Sequence, residues 1–198
     1  MLVGGEKEQD MRVIAGTMRR MQLVTPSGND TRPTQDRIKE TLFNIIQAAV
    51  PGSVFVDVCA GSGGIGIEAL SRGAVRAYFI ENNKNAVACI QENLHKTHFE
   101  EEGTLLKQDA VSALRHIREK EVDLIYVDPP YESPVVRDIL SALSAMDYVT
   151  ENTQIIVETS LTSDFTFLED LQLFITREKR YKGQRHLFIA KKDGSSDL

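Results

Sequence analysis

Cysteine is scarce in this chain: Cys59 and Cys89 are the only two, far apart and without paired spacing. That excludes a disulfide framework and a cysteine-built zinc site, so reduced thiols are expected. Histidine is scarce too. Of the four, His95 and His98 stand three apart on an expected helix with no third ligand, which reads as a solvated pair, and no metal is expected. No stretch approaches the roughly 18 apolar residues of a membrane span. The start, Met1-Leu2-Val3-Gly4-Gly5-Glu6-Lys7, lacks the charged-then-apolar order of a signal peptide. These absences point to a cytoplasmic protein with no membrane partner.

Positive charge is also in deficit, with a net charge of −6, which on its face argues against a nucleic-acid partner. Its distribution argues the other way. Residues 11–40 hold six basic side chains against three acidic, and residues 176–192 hold seven against one. If the fold brings both segments to one rim, an RNA-binding edge results; otherwise they are solvated charge.

What the chain does have is alternation. At 198 residues and 41% hydrophobic content it can bury one substantial core, and a second full domain would be crowded. Residues 1–10 are polar, glycine-containing and aperiodic, and are expected to be a disordered leader; Met11 could itself be the natural start. Arg12–Ala15 and Arg20–Val24 flank Gly16-Thr17 and predict a small hairpin. Ile38, Leu42, Ile45, Ile46 and Ala49 fall at helical spacing, with Thr34 as cap and Pro51-Gly52 as stop. Residues 11–50 therefore form an extension before the main fold. Beyond it, strands are expected at Val54–Cys59, Ala77–Glu81, Thr104–Lys107, Leu124–Asp128 and Ile155–Thr159, with amphipathic helices between them. That is a parallel sheet covered on both faces. Ser133-Pro134 should start the helix after the fourth of these strands. Leu171–Thr176 and His186–Ala190, joined by the basic loop at Arg180–Gly183, leave no room for a crossover and should close one edge as an antiparallel hairpin. The domain runs to residue 192, and 193–198 are expected to be a disordered tail.

Asp57-Val58-Cys59-Ala60-Gly61-Ser62-Gly63-Gly64-Ile65-Gly66 follows the first of these strands and opens a helix. Glycines there let the backbone turn sharply and let a ligand press on the main chain. Gly61, Gly63 and Gly66 match the dinucleotide fingerprint, which alone does not separate nicotinamide cofactors from S-adenosylmethionine. Asp57 shifts the balance, because a carboxylate inside a parallel strand is costly unless it has a task. It can orient the loop amides and meet a cationic amine. Glu81 can accept from two ribose hydroxyls, and Asp109 is placed to accept from an adenine amine, although helix capping is its competing role.

Val127-Asp128-Pro129-Pro130-Tyr131 then follows the fourth strand. An exocyclic base amine is a poor nucleophile, since its lone pair is delocalised into the ring. Asp128 and the Pro129 carbonyl can accept its two N–H bonds and draw the nitrogen towards a pyramid. Pro129 and Pro130 fix the turn and bring no competing amide protons, and Tyr131 offers a face for stacking. A rigid turn is the bland alternative. The turn points to amine methylation and leaves the base open.

Met11 to Gly16, Arg32-Pro33-Thr34-Gln35-Asp36-Arg37 through Asn44, Asp57 to Gly63, Glu68-Ala69-Leu70-Ser71-Arg72-Gly73-Ala74 and Asp128 to Tyr131 together resemble the RsmD family of bacterial 16S rRNA methyltransferases, over about Met11–Lys191. The resemblance implies a Rossmann-like class I α/β fold, with a seven-stranded, mostly parallel sheet. It implies N2 methylation of guanine 966 in 16S rRNA, on naked RNA or a small-subunit particle, with S-adenosylmethionine as donor. Asp57, Gly61, Gly63, Glu81 and Asp109, with Ala60 and Ala110 beside them, would hold the cofactor. Asp128 to Tyr131 would act on the base, and Arg32, Thr34 and Arg37 would lie over it. Two positions depart from the pattern: Cys59 replaces a glycine, and Asn82-Asn83 stand where an acid is frequent. A monomer is expected. The rivals are an adenine-N6 methyltransferase on DNA or RNA, a nicotinamide-dependent dehydrogenase and a non-catalytic RNA-binding protein.

Overall fold

A computed structural model describes residues 11–26, 33–129 and 134–193. The expected leader (1–10) and most of the expected tail (193–198) lie outside the described residues, as do Arg32, Pro130 and Tyr131.

The alternating pattern folds as expected, into a seven-stranded sheet. Its strands are β3 (Val54–Val58), β4 (Arg76–Ile80), β5 (Gly103–Leu106), β6 (Leu124–Val127), β7 (Gln154–Ser160), β8 (Leu173–Arg180) and β9 (Gln184–Lys191). Their spatial order is β5-β4-β3-β6-β7-β9-β8. β3 to β7 pair in parallel, while β9 runs antiparallel to both β7 and β8, so the closing pair forms the expected edge hairpin. The chain builds β3, β4 and β5 in one direction and then returns to lay β6 against β3. The switch point, where open α/β sheets place their ligands, is therefore at the carboxyl ends of β3 and β6.

Side chains alternate between two cores, one on each sheet face. Val56, Val58, Ile125, Val127, Ile155 and Val157 pack with α4 (Ala110–Leu114), α5 (Val135–Ser144) and the 3₁₀ turn Thr166–Leu171. Phe55, Phe79, Leu124, Tyr126, Ile156 and Phe188 face the other way, towards α1 (Pro33–Ile46), α2 (Gly64–Ser71) and α3 (Lys84–Thr97). Phe43 of α1 stacks on Phe55 with ring centroids 6.5 Å apart, and both are fully buried. Each such ring contributes roughly 1.5–3 kcal/mol through burial.

Three local expectations need correction. α1 begins at Pro33, so Thr34 lies inside the helix and does not cap it; proline's fixed φ and missing N–H suit the first helical turn. α1 also ends at Ile46, before Pro51-Gly52, with the chain closing in a turn from the Ala49 amide to the Ile46 carbonyl. At the other end, Pro134 stands just before α5 and not within it.

The N-terminal hairpin is present but short: β1 is Met11–Arg12 and β2 is Gln22–Leu23. It is short because the next amides leave the ladder for side chains of the core. The Ile14 and Ala15 N–H groups donate to the Glu68 carboxylate at 2.7 and 3.0 Å. Met18 N–H donates to Ser71 Oγ at 3.0 Å, and Val24 N–H to Asn93 Oδ1 at 2.7 Å. Glu68, Ser71 and Asn93 are all buried.

Candidate active site at the carboxyl edge of the sheet

The glycine loop leaves β3 at the switch point. Asp57 sits on β3 facing Tyr126 across the pair, buried, and its Oδ2 accepts the Gly66 amide at 2.9 Å. That bond ties the glycine loop to β3. Burial pushes its carboxyl up to about 7, against the pull of the Gly66 amide and with help from Glu81. Among the described residues that amide is the single donor it receives, which leaves a buried acid suited to a cationic group. Gly61 has φ +56, and a Cβ there would meet nothing within 4 Å, so the backbone faces open space where a ligand can lie. Gly66 packs so closely on Phe79 that a Cβ would stand 2.4 Å from its ring.

Glu81 directly follows β4 and ties this loop to the next. Its Oε2 accepts the Gly61 amide at 2.9 Å, and its Oε1 accepts the Asn82 and Asn83 amides at 2.9 Å each. Asn83 in turn caps α3, accepting from the Asn85 and Ala86 amides. An asparagine here therefore serves the helix. Asp109 is exposed after β5 and caps α4 through the Ser112 amide at 3.0 Å, which holds its carboxyl below the usual range. Cys59 takes the left-handed φ of +62 that a glycine would adopt freely, with its half-buried side chain packed on the first core. Burial, with Glu81, Asp128 and Asp57 nearby, pushes its thiol up to about 12, so it is not a nucleophile. These residues fit a nucleoside cofactor with a positive charge: an acid for the cation, an acid at the ribose position and an open glycine backbone between them.

Asp128 follows β6 directly, its amide donating to the Val58 carbonyl at 3.3 Å, so it stands beside the start of the glycine loop. Burial raises its proton affinity well above the ordinary carboxylate value, and the charges of Glu158 and Asp57 raise it further. Pro129 is buried next to it. Glu158 is a residue that pattern reading missed. It lies one step beyond the Val127–Val157 pair and so on the same sheet face as Asp128. Its carboxylate accepts Tyr126 Oη and Gln184 Nε2 at 2.6 Å each, and lies 3.0 Å from Nε2 of the fully buried His186. His186 Nδ1 is 3.1 Å from Tyr181 Oη. The signal available was akin to that of Asp57: a charged residue directly after the apolar run Ile155-Ile156-Val157.

Both basic segments reach this edge. Ser160, at the carboxyl end of β7, pairs with Gln184, which places the β8–β9 tip with Arg180, Lys182 and Arg185 there. Met11 packs on the glycine loop, accepting a hydrogen bond from Ser62 Oγ at 3.2 Å, and so brings the N-terminal hairpin to the same edge. Arg37 is exposed on α1. Among the described residues no group of three or more His, Cys, Asp or Glu could hold a metal ion, and no helix is long and apolar enough to cross a membrane.

The sheet order with its switch point, the glycine loop and the acids at the strand ends define a Rossmann-like methyltransferase. The chain belongs to the RsmD family, whose model, described as Conserved hypothetical protein 95, matches residues 11–191. The Bacillus subtilis protein YlbH is 33% identical over 150 residues, covering 75% of this chain and 82% of that one. A Haemophilus influenzae protein named Ribosomal RNA small subunit methyltransferase D is 32% identical over 152 residues, covering 76% and 79%. The solved structure of the Escherichia coli protein yhhF superposes with a TM-score of 0.78 at 26% identity, covering 92% of this chain and 98% of that one.

Proposed function

We propose that this chain methylates the N2 amine of a guanine in small-subunit ribosomal RNA, guanine 966 of 16S rRNA, with S-adenosylmethionine as donor. One observation carries the reading: a half-buried carboxylate with raised proton affinity, Asp128, standing at the switch point beside the glycine loop, in a family with a small-subunit rRNA methyltransferase among its members. When bound, S-adenosylmethionine supplies an electrophilic methyl group and a positive charge. Asp57 would hold the cofactor's cationic amine and Glu81 its ribose beside the glycine loop from Ala60 to Gly63, and Asp109 with Ala110 would border its base. Asp128 and the Pro129 carbonyl accept the two N–H bonds of the guanine amine and align its lone pair, so positioning supplies much of the rate. Asp128, whose surroundings favour a proton, then takes the one the amine sheds. Tyr131 stacks on the base after it has been turned out of its helix. By the family likeness, Arg32, Thr34 and Arg37 would contact the RNA.

The test is transfer of labelled methyl groups to small-subunit RNA and to assembled particles, followed by digestion to nucleosides. N2-methylguanosine is the expected product. N6-methyladenosine as the sole product would overturn the assignment of the base. Asp128→Ala should abolish transfer while leaving RNA affinity within a few-fold, and unchanged turnover would remove Asp128 from the chemistry.

A further inference from the structure

The N-terminal hairpin is held more firmly than a ribbon of two-residue strands could hold itself. Besides the side-chain anchors at Glu68, Ser71 and Asn93, the Thr17 amide donates to the Ser71 carbonyl at 2.8 Å, so the turn is fixed to the end of α2. The anchored turn presents positive charge. Arg19 and Arg20 are exposed on it, and Arg37 is exposed on the facing part of α1. Arg12 lies between them and pairs with Asp36 at 3.1 Å. Arg12, Arg19, Arg20 and Arg37, with Asp36 and Glu40, line a cleft of about 490 Å³.

Two observations distinguish this cleft from ordinary surface charge. Among the described residues no carboxylate forms an ion pair with Arg19, Arg20 or Arg37, so three guanidinium groups share one concavity with Glu40 as the carboxylate there outside the Arg12–Asp36 pair. Arg20 also holds a left-handed φ of +72, where a glycine would cost less. Its side chain is therefore placed at the expense of backbone comfort. One residue before Arg12, Met11 packs on the glycine loop, so the cleft adjoins the candidate active site.

We propose that this cleft binds backbone phosphates of the RNA strand that leads to the target base. The inference rests on the RNA methyltransferase reading above and adds the site that grips the strand. Guanidinium groups suit the task, since each presents paired donors that match two phosphate oxygens. Asp36 keeps Arg12 aimed across the cleft and leaves the other three for the ligand.

Binding of a small-subunit RNA fragment is measured over a salt series for the wild type, the double variant Arg19→Gln/Arg20→Gln and the single variant Arg20→Gly, with S-adenosylmethionine affinity and melting temperature recorded for each. Losing two phosphate contacts should lower the slope of log K against log salt by about 1.4 and weaken binding roughly tenfold or more near 0.1 M salt. Arg20→Gly should weaken RNA binding while melting at the same or a higher temperature, because glycine relieves the backbone; a merely structural arginine would not behave so. Unchanged slopes and affinities in both variants, with cofactor binding intact, would overturn the cleft alone. Failure of the wild type to methylate any small-subunit RNA would instead overturn the reading beneath it.

Discussion

Asp57 shows how one residue links the fold to its ligand. It is 2% exposed, and its carboxyl is pushed up to about 7, first by burial. The folded chain thus holds this proton more tightly than the unfolded chain does. The stabilisation is fully present below the unfolded value of 3.8 and is lost as pH rises through about 7, a difference of order 4 kcal/mol. The ligand-free protein should therefore melt at progressively lower temperature from pH 5 to pH 8. Asp57→Asn should flatten that decline, and a wild type whose melting temperature rises over the same range would contradict the assignment. A charge inside an apolar strand made Asp57 legible in the sequence. Glu81 and Asp109 were legible as acids at strand ends, and capping by Asp109 as one of its two roles; which loop amides Glu81 would gather was not, because that depends on backbone geometry set by the neighbouring strands.

At the level of elements, the segment Glu68-Ala69-Leu70-Ser71-Arg72-Gly73 acquires a physical meaning that its spelling did not carry. Glu68 has no exposed surface, yet its carboxylate accepts two hairpin amides, pairs with Arg72 at 2.7 Å and lies 3.5 Å from the buried Lys39. Lys39 is itself pulled below its ordinary pKa by burial and is held up by Glu68 and Asp36. Gly16 must be glycine here, since a Cβ would fall 1.8 Å from the Ser71 carbonyl oxygen. The sequence announced a hairpin around Gly16, and its strands came out shorter because Glu68, more than 50 residues away, takes the amides that a longer ladder would have used. Glu68→Gln should leave a buried ammonium without its counter-charge and cost about 3–5 kcal/mol. Urea unfolding measures this, and a loss below about 1 kcal/mol would show that the anchor is dispensable.

For the whole molecule, the parallel sheet was legible from alternating apolar runs, and so was the antiparallel edge. The surroundings of Asp128 were not, because they are a property of the assembled sheet. Asp57 comes from β3, Tyr126 from β6, Glu158 from β7 and His186 from β9, and only the reversal of β9 against β7 brings His186 opposite Glu158. Cys59 also stands near enough for its thiol to feel the Asp128 charge. Asp128 owes its high proton affinity first to burial, then to the Glu158 charge, then to Asp57. Removing the Glu158 charge lowers that affinity, so Asp128 should ionise at lower pH. With Glu158→Gln the acid limb of the pH profile for methyl transfer should therefore move to lower pH, even if the maximal rate falls with the loss of the contacts to Tyr126 and His186. A lower rate with an unmoved limb would reduce Glu158 to a packing role and leave the basicity of Asp128 to burial alone.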